Sequence, residues 1–213
     1  MGLDLTSLRQ DYTKASLDTD SVSPSPFDQF QLWFQQALSG GILEPNAMVL
    51  GTSDAVGNVS QRTVLLKAFD QKGFVFYTNY KSRKAQQISV NGKVSILFPW
   101  YELERQVAIA GTAEKVSTKE SMTYFLSRPH GSQLGAWVSH QSKVITSRSI
   151  LEQKLSEMKA KFKEGNLPFP DFWGGYRIVP TSLEFWQGRS SRLHDRIVYE
   201  RNEDSWDIKR LAP

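Results

Sequence analysis

Near the C-terminus the stretch EFWQGRSSRLHDR, residues 184–196, places Phe185 and Trp186 just ahead of Arg192, His194, Asp195 and Arg196. An arginine carries a planar fork of donors that matches a phosphate and can also lie over an aromatic ring. Histidine is the side chain whose charge changes most readily near neutrality. Beside a tryptophan, this set suits a flat, anionic, aromatic ligand. A solvated basic loop is the alternative.

Two further batches carry phosphate-binding chemistry. The first is RTVLLK (Arg62, Thr63, Val64, Leu65, Leu66, Lys67) together with YTNYKSRK (77–84), which supplies Tyr77, Thr78, Ser82, Arg83 and Lys84. Ser82-Arg83-Lys84 falls at a predicted helix N-terminus, where unpaired backbone N–H groups and the helix dipole favour an anion. A solvated turn is the plain reading of KSRK alone. The second batch is Tyr124, Arg128 and Ser132, spaced by four and four. Tyr124 and Arg128 share one helix face, Pro129 ends that helix, and Ser132 is expected to cap the next, SQLGAWV. A phenol, a guanidinium and a hydroxyl could then meet on one phosphate dianion; Tyr124 as core and Arg128 as a surface charge is the competing reading. Gln106, Gln141 and Ser142 add neutral donors and acceptors suited to the polar edge of a ring.

Composition narrows the field. The 213 residues include no cysteine, which excludes disulfides, thiolate metal sites and cysteine nucleophiles. The three histidines, His130, His140 and His194, are too scattered for a metal triad. A net charge of +4 permits an anionic ligand without requiring nucleic acid. Neither a glycine-rich dinucleotide fingerprint nor a phosphate-loop motif occurs. No apolar run reaches membrane-spanning length and the N-terminus lacks a signal-peptide pattern, so a cytoplasmic location is expected, with no membrane and no nucleic-acid partner.

The elements that must position these residues are mostly strands. Residues 1–25 read as a mobile arm and 26–213 as one domain. Ser25-Pro26 opens a helix whose Phe27, Phe30, Phe34, Ala37 and Leu38 repeat at helical spacing until Gly40-Gly41. Strands are expected in NAMVLGTSD and VSQRTVLLKAFD, joined by a hairpin at 55–58, then in GFVFYTN, KVSILFPWY and ERQVAIAGTAEKV. Ser117 with Glu120 predicts a capped helix, and residues 147–163 predict another, with Leu151, Leu155, Met158 and Phe162 on one face. GGYRIVP, SLEFWQG, HDRIVYER and SWDIKRL read as four short strands. The class is mainly β with α, a β-barrel of the α+β kind.

Read in order, LRQDYTK, RTVLLK, FYTNYKSRKAQQI, LFPWYELERQV, YFLSRPHGSQLGAWVSHQS, DFWGGYRI, FWQGRSSRLHDR and the terminal RLAP resemble the pyridoxamine 5′-phosphate oxidase family over essentially the whole chain. The resemblance implies a split-barrel homodimer with FMN at the subunit interface. It implies oxidation of pyridoxamine or pyridoxine 5′-phosphate to pyridoxal 5′-phosphate by dioxygen, with release of hydrogen peroxide and, from the amine, ammonia. It assigns FMN to Arg62, Thr63, Val64, Leu65, Leu66, Lys67, Tyr77, Thr78, Arg83, Lys84, Gln106, Gln141, Ser142, Trp186 and Arg196. It assigns the substrate to Lys67, Tyr124, Arg128, Ser132, Arg192, Leu193 and His194, with Arg9 and Tyr12 of the arm as a lid. In that picture Arg192 and His194 do the catalytic work from one face of a strand, Arg196 continues that face, and Asp195 is a structural ion partner. Two other readings stay open: another split-barrel flavin oxidoreductase, which would not need Tyr124, Arg128, Ser132 and the Arg192–His194 pair together, and a nucleic-acid-binding barrel.

Overall fold

The structure is a computed structural model that describes residues 5, 10–139, 141–162 and 167–213. Among them are five α-helices and nine strands, mainly β with α as expected. The chain groups into two compact units: Met1–Val49, Ile96–Ala110 and Pro180–Pro213 form one, and Leu50–Ser95 with Gly111–Val179 form the other. No helix among the described residues is long and apolar enough to cross a membrane.

In the first unit, helix α1 (Pro26–Ser39) starts where Ser25 Oγ accepts the Asp28 amide and Pro26 presets the first turn. It stops at Gly40, whose N–H returns to Gln36. Its buried face is Phe27, Phe30, Trp33 and Ala37. Leu38, predicted on that face, is exposed, and Trp33 takes the inward place with its ring edge-on to Phe185 at 5.2 Å. Strand β5 (Lys93–Trp100) brings Phe98 and Trp100 against Phe30. Strand β8 (Asp195–Asn202) pairs antiparallel with the end of β7 (Trp173–Gln187) and with β9 (Ser205–Leu211). Strand alternation decides which side chains reach the site: Leu183, Phe185 and Gln187 are buried, whereas Glu184 and Trp186 turn to the other face.

In the second unit, β1 (Ala47–Ser53) and β2 (Val59–Leu65) flank the expected turn, where Asp54 N–H donates to the Asn58 carbonyl. The run VSQRTVLLKAFD is two strands, not one. β2 ends at Leu65 and β3 (Ala68–Asp70) begins after Lys67, because β3 pairs with β4 (Gly73–Asn79) whereas β2 neighbours β1. β4 is buried along nearly all its length and pairs with residues 173–178 of β7. β6 (Arg105–Lys115) is the predicted strand, and its residues from Gly111 onward belong to this unit. Helices α2 (Arg83–Val90), α3 (Thr118–Ser127), α4 (His130–Val138) and α5 (Ser149–Lys161) complete the unit. Phe125, Leu134, Leu167 and Trp173 form a buried apolar cluster, against which Leu155, Met158 and Phe162 pack as their spacing predicts. A side chain on Gly174 would meet the Tyr80 ring and one on Gly175 the Tyr77 ring, so the glycine pair lets both tyrosines lie on β7.

GGYRIVP and SLEFWQG form the single long strand β7, not two. Its partner changes from β4, up to Ile178, to β8, from Ser182. Pro180, which lacks an N–H, falls in the gap between those two ladders and therefore costs neither a hydrogen bond.

Candidate functional site

In the Leu50–Ser95/Gly111–Val179 unit, α2 delivers the first cation group. Ser82 is fully buried, and its hydroxyl accepts the Ala85 amide to fix the first turn. The Arg83 amide donates to Ser142 Oγ at 3.2 Å. Lys84 Nζ reaches Thr78 Oγ1 at 3.3 Å and Gln141 Oε1 at 3.5 Å. Ser142 adopts a left-handed φ of 68°. Arg62 on β2 donates to the Leu50 carbonyl, Thr52 Oγ1 and Ser60 Oγ. Those two hydroxyls in turn donate to Gln87 Oε1 on α2. All these partners are neutral. Among the described residues no salt bridge reaches Arg62, Arg83 or Lys84. Burial, then the Arg83 charge, pushes the Arg62 pKa down; burial, then Arg62, lowers that of Lys84. Cations that repel one another at a helix N-terminus make an anion receptor, and a phosphate ester fits this donor set.

The second cation is Arg128, at the C-terminal end of α3. Its carbonyl accepts Gln133 Nε2 at 2.8 Å, which ties it to α4. Its guanidinium lies over Trp173 at 4.7 Å, and Nη1 is buried with no hydrogen-bond partner. Burial lowers its pKa. Tyr124 stacks on Tyr77 with ring centroids 4.0 Å apart, and burial raises the Tyr124 pKa and lifts that of Tyr77 to about 12. Both phenols therefore stay protonated donors across the neutral range. A buried donor without an acceptor is costly, and an oxyanion is the kind of group that could satisfy Arg128 Nη1.

The unit Met1–Val49/Ile96–Ala110/Pro180–Pro213 holds a cavity of about 840 Å³, lined by Tyr12, Tyr101, Glu104, Arg105, Gln106, Trp186, Arg189, Arg192 and His194 among others. His194 lies beside Trp186, with ring centroids 4.6 Å apart. Its Nδ1 accepts the Arg189 amide at 3.1 Å, so the ring carries its proton on Nε2. Tyr12 meets Trp186 edge-on at 5.8 Å. Arg105 lies 4.4 Å over Trp33 and donates to Gln187 and Gln36, both amides, and burial lowers its pKa.

The sequence-predicted residues divide as follows. Arg62, Thr78, Arg83, Lys84, Gln141 and Ser142 come together. Thr63, Val64 and Leu65 continue β2, and Leu66 and Lys67 follow it, with the Lys67 amide on the Val75 carbonyl. Tyr77, Tyr124 and Arg128 form the second group. Ser132 does not cap its helix: α4 begins at His130 behind Pro129, whose carbonyl accepts the Ser132 amide, and Ser132 is an exposed residue of the first turn. Gln106, Trp186, Arg192, His194 and Tyr12 share the cavity. Arg192 and His194 are not on a strand; residues 190–192 form a 3-10 turn with Ser191 and Arg192 at left-handed φ, and β8 starts only at Asp195. The turn, not strand alternation, brings both side chains to the cavity. Leu193 is exposed and outside the lining. Arg196 is clamped by Glu184, Nε to Oε1 at 2.8 Å and Nη2 to Oε2 at 3.0 Å, and gives Nη1 to the Ala212 carbonyl. Asp195 pairs with Arg210 at 2.9 Å. Arg9 and His140 lie outside the described residues. The sequence reading missed Trp173, Arg189, Glu104 and Gln87; only Trp173, in the odd string DFWGGYRI, carried a signal.

Residues 34–162 match the family model described as pyridoxamine 5′-phosphate oxidase, and residues 173–213 match the pyridoxine 5′-phosphate oxidase C-terminal dimerisation region. A pyridoxine/pyridoxamine 5′-phosphate oxidase of Crocosphaera subtropica is 59% identical, covering 99% of this chain and 100% of that protein. One from Aliarcobacter butzleri is 58% identical with the same coverage. Among solved structures, PhzG from Burkholderia lata, in complex with tetrahydrophenazine-1-carboxylic acid, superposes with a TM-score of 0.87 at 30% identity, covering 91% of this chain and 95% of that one. An FMN-binding protein of Nostoc punctiforme, 16% identical with a TM-score of 0.72 over 90% of this chain and 100% of its own, shares the fold.

Proposed function

The chain belongs to the pyridoxamine 5′-phosphate oxidase family, whose split-barrel fold it has, and from that premise we propose that it oxidises pyridoxamine or pyridoxine 5′-phosphate to pyridoxal 5′-phosphate. Dioxygen is the acceptor, hydrogen peroxide the second product, and the amine substrate also takes up water and releases ammonia. The enzyme is a homodimer, in keeping with its C-terminal match, and is cytoplasmic. FMN is the cofactor; when bound it takes two electrons from the substrate carbon and passes them to dioxygen.

The observation that carries this reading is the unpartnered Nη1 of Arg128, a cation separate in the sequence and in its contacts from the α2 group. A flavoprotein with one phosphate to hold needs only the first group. A phosphorylated substrate needs the second.

Arg83, Lys84 and Ser142 at the start of α2 hold the FMN phosphate, with Arg62, Thr78 and Gln141 behind them. Thr63, Val64, Leu65, Leu66, Lys67, Tyr77, Gln106, Trp186 and Arg196 complete the FMN set. Arg128 and Tyr124, with Lys67 and Ser132, receive the substrate phosphate. Arg192 covers the pyridine ring and fixes its orientation, Leu193 flanks it, and His194 presents Nε2–H to the substituent that reacts. Tyr12, with Arg9, roofs the ring and excludes water. Arg196, neutralised by Glu184, contributes shape more than charge.

The purified protein should be yellow, and its flavin absorbance should bleach anaerobically on addition of pyridoxine 5′-phosphate. A colourless protein that stays inactive after FMN is supplied would overturn the reading.

A further inference from the structure

Glu104 ends a 3-10 turn (Tyr101–Leu103) in the left-handed conformation, φ 55° and ψ 37°, which a residue with a side chain adopts only when its surroundings impose it. Its contacts show what that backbone achieves. Oε2 accepts two consecutive amides of the N-terminal arm, Thr13 at 2.8 Å and Lys14 at 3.0 Å. Lys14 Nζ adds a bond to the neighbouring Glu102 carbonyl. On its backbone side, the Glu104 carbonyl accepts the Gly188 amide at 2.7 Å and Gln187 Nε2 at 3.2 Å. One residue therefore grips the arm with its carboxylate and the cavity wall with its carbonyl.

The residue just before the gripped pair is Tyr12, whose ring packs on Trp186 and His194. The same wall makes room for it: a Cβ on Gly188 would lie 2.7 Å from the Tyr12 ring. The amide that Glu104 holds and the missing side chain that admits Tyr12 thus belong to one glycine.

We propose that Glu104 is a positioning residue that seats Tyr12 over the Trp186–His194 wall, and so sets how tightly the cavity holds its flat, aromatic ligand. This rests on the oxidase reading only for the identity of that ligand. The seat is built from this chain's own groups, and from this backbone conformation the carboxylate accepts both amides. Charge-assisted bonds from a carboxylate to backbone N–H groups are among the stronger local tethers. Glu104 lines the cavity, but its carboxylate is engaged by the Thr13 and Lys14 amides.

The glycine variant Glu104→Gly separates tether from backbone, since glycine adopts φ 55° without strain and keeps the carbonyl bonds to the wall. Hydrogen exchange on the flavin-loaded protein should show the Thr13 and Lys14 amides losing at least about ten-fold of their protection. KM for pyridoxine 5′-phosphate should rise about five- to ten-fold, with kcat changed less and bound flavin unchanged. Glu104→Gln, which keeps one acceptor oxygen, should fall between. Gly188→Ala should reproduce the KM effect from the other side by displacing Tyr12. Unchanged protection of Thr13 and Lys14 in Glu104→Gly would overturn the tether, and lost protection with an unchanged KM would overturn its action on the ligand. If the wild-type protein itself failed to turn over, the oxidase reading would fall, while the exchange data would still decide the tether.

Discussion

Two sets of cations, one in each unit, are treated in opposite ways. In the Leu50–Ser95/Gly111–Val179 unit, Arg62, Lys84 and Arg128 face hydroxyls, amides and aromatic rings, and their pKa values are driven down by burial. In the other unit, the Glu184 carboxylate raises the Arg196 pKa, and Asp195 binds Arg210 while lying 3.7 Å from Arg189. An ion pair resolved inside the protein has no need of a ligand. A partly buried cation without a carboxylate does, because its desolvation is offset only when an anion arrives. Arg62, Lys84 and Arg128 of the Leu50–Ser95/Gly111–Val179 unit are therefore suited to receive anions, whereas Arg196 and Arg210 of the other unit hold a surface in shape. The division is not complete: Arg105 and Arg192 line the shaped cavity, yet among the described residues neither forms a salt bridge, and Arg177 of the Leu50–Ser95/Gly111–Val179 unit pairs with Asp70.

The comparison breaks most visibly at Arg192 and Arg128. Arg192→Ala should lower turnover by about 10²-fold or more, through loss of orientation, while flavin content holds. Steady-state kinetics beside the flavin absorbance of the purified variant check this; flavin loss with normal turnover per flavin would reverse the assignment. Arg128→Ala should act on binding, raising KM for pyridoxine 5′-phosphate about 10²-fold with the non-phosphorylated alcohol affected far less, because a charge-assisted contact of about 1.5–3 kcal/mol disappears. Equal effects on the two alcohols would remove the phosphate from Arg128.

Arg83→Ala sharpens the contrast at a smaller size. FMN affinity should fall about 10- to 100-fold, since one charged donor leaves and the helix N-terminus stays, and equilibrium dialysis of the flavin measures it. Turnover at saturating FMN should stay close to that of the wild type.

How far these sites are legible in the sequence depends on how local their physics is. Ser82-Arg83-Lys84 declares a capped helix start within three residues, and α2 forms there. Phe30 and Ala37 announce α1 by periodicity, but the choice of Trp33 over Leu38 is made by Phe185, far along the chain. Arg192 and His194 are visible as residue types, yet their placement is not, because two successive left-handed residues, Ser191 and Arg192, have no compositional mark when neither is glycine. Pro180 suggests a break between strands, and only the change of partner along β7 explains why there is none. Glu104 is silent for the same reason as Arg192: its conformation is imposed by the arm and the wall it joins.

The smallest effect tests the same contrast through stability. Lys84 has its folded pKa lowered from the ordinary 10.5 by burial and then by Arg62. Between the folded value and 10.5 the unfolded chain binds more protons than the folded one, so stability rises with pH across that window. Below it both states carry the proton, and the full cost of the buried charge is present at neutral pH. Lys84→Met should therefore raise the melting temperature of the flavin-free protein at pH 7, by about 1–3 °C, with Thr78 Oγ1 still donating to Gln141 at 3.3 Å. The gain should shrink as pH rises toward 10 and change sign when FMN is bound, because the phosphate then loses a cation that had been stabilised by it. Paired thermal melts with and without FMN read both halves. A variant less stable than the wild type without flavin would show that Lys84 serves the fold of α2 and not the anion.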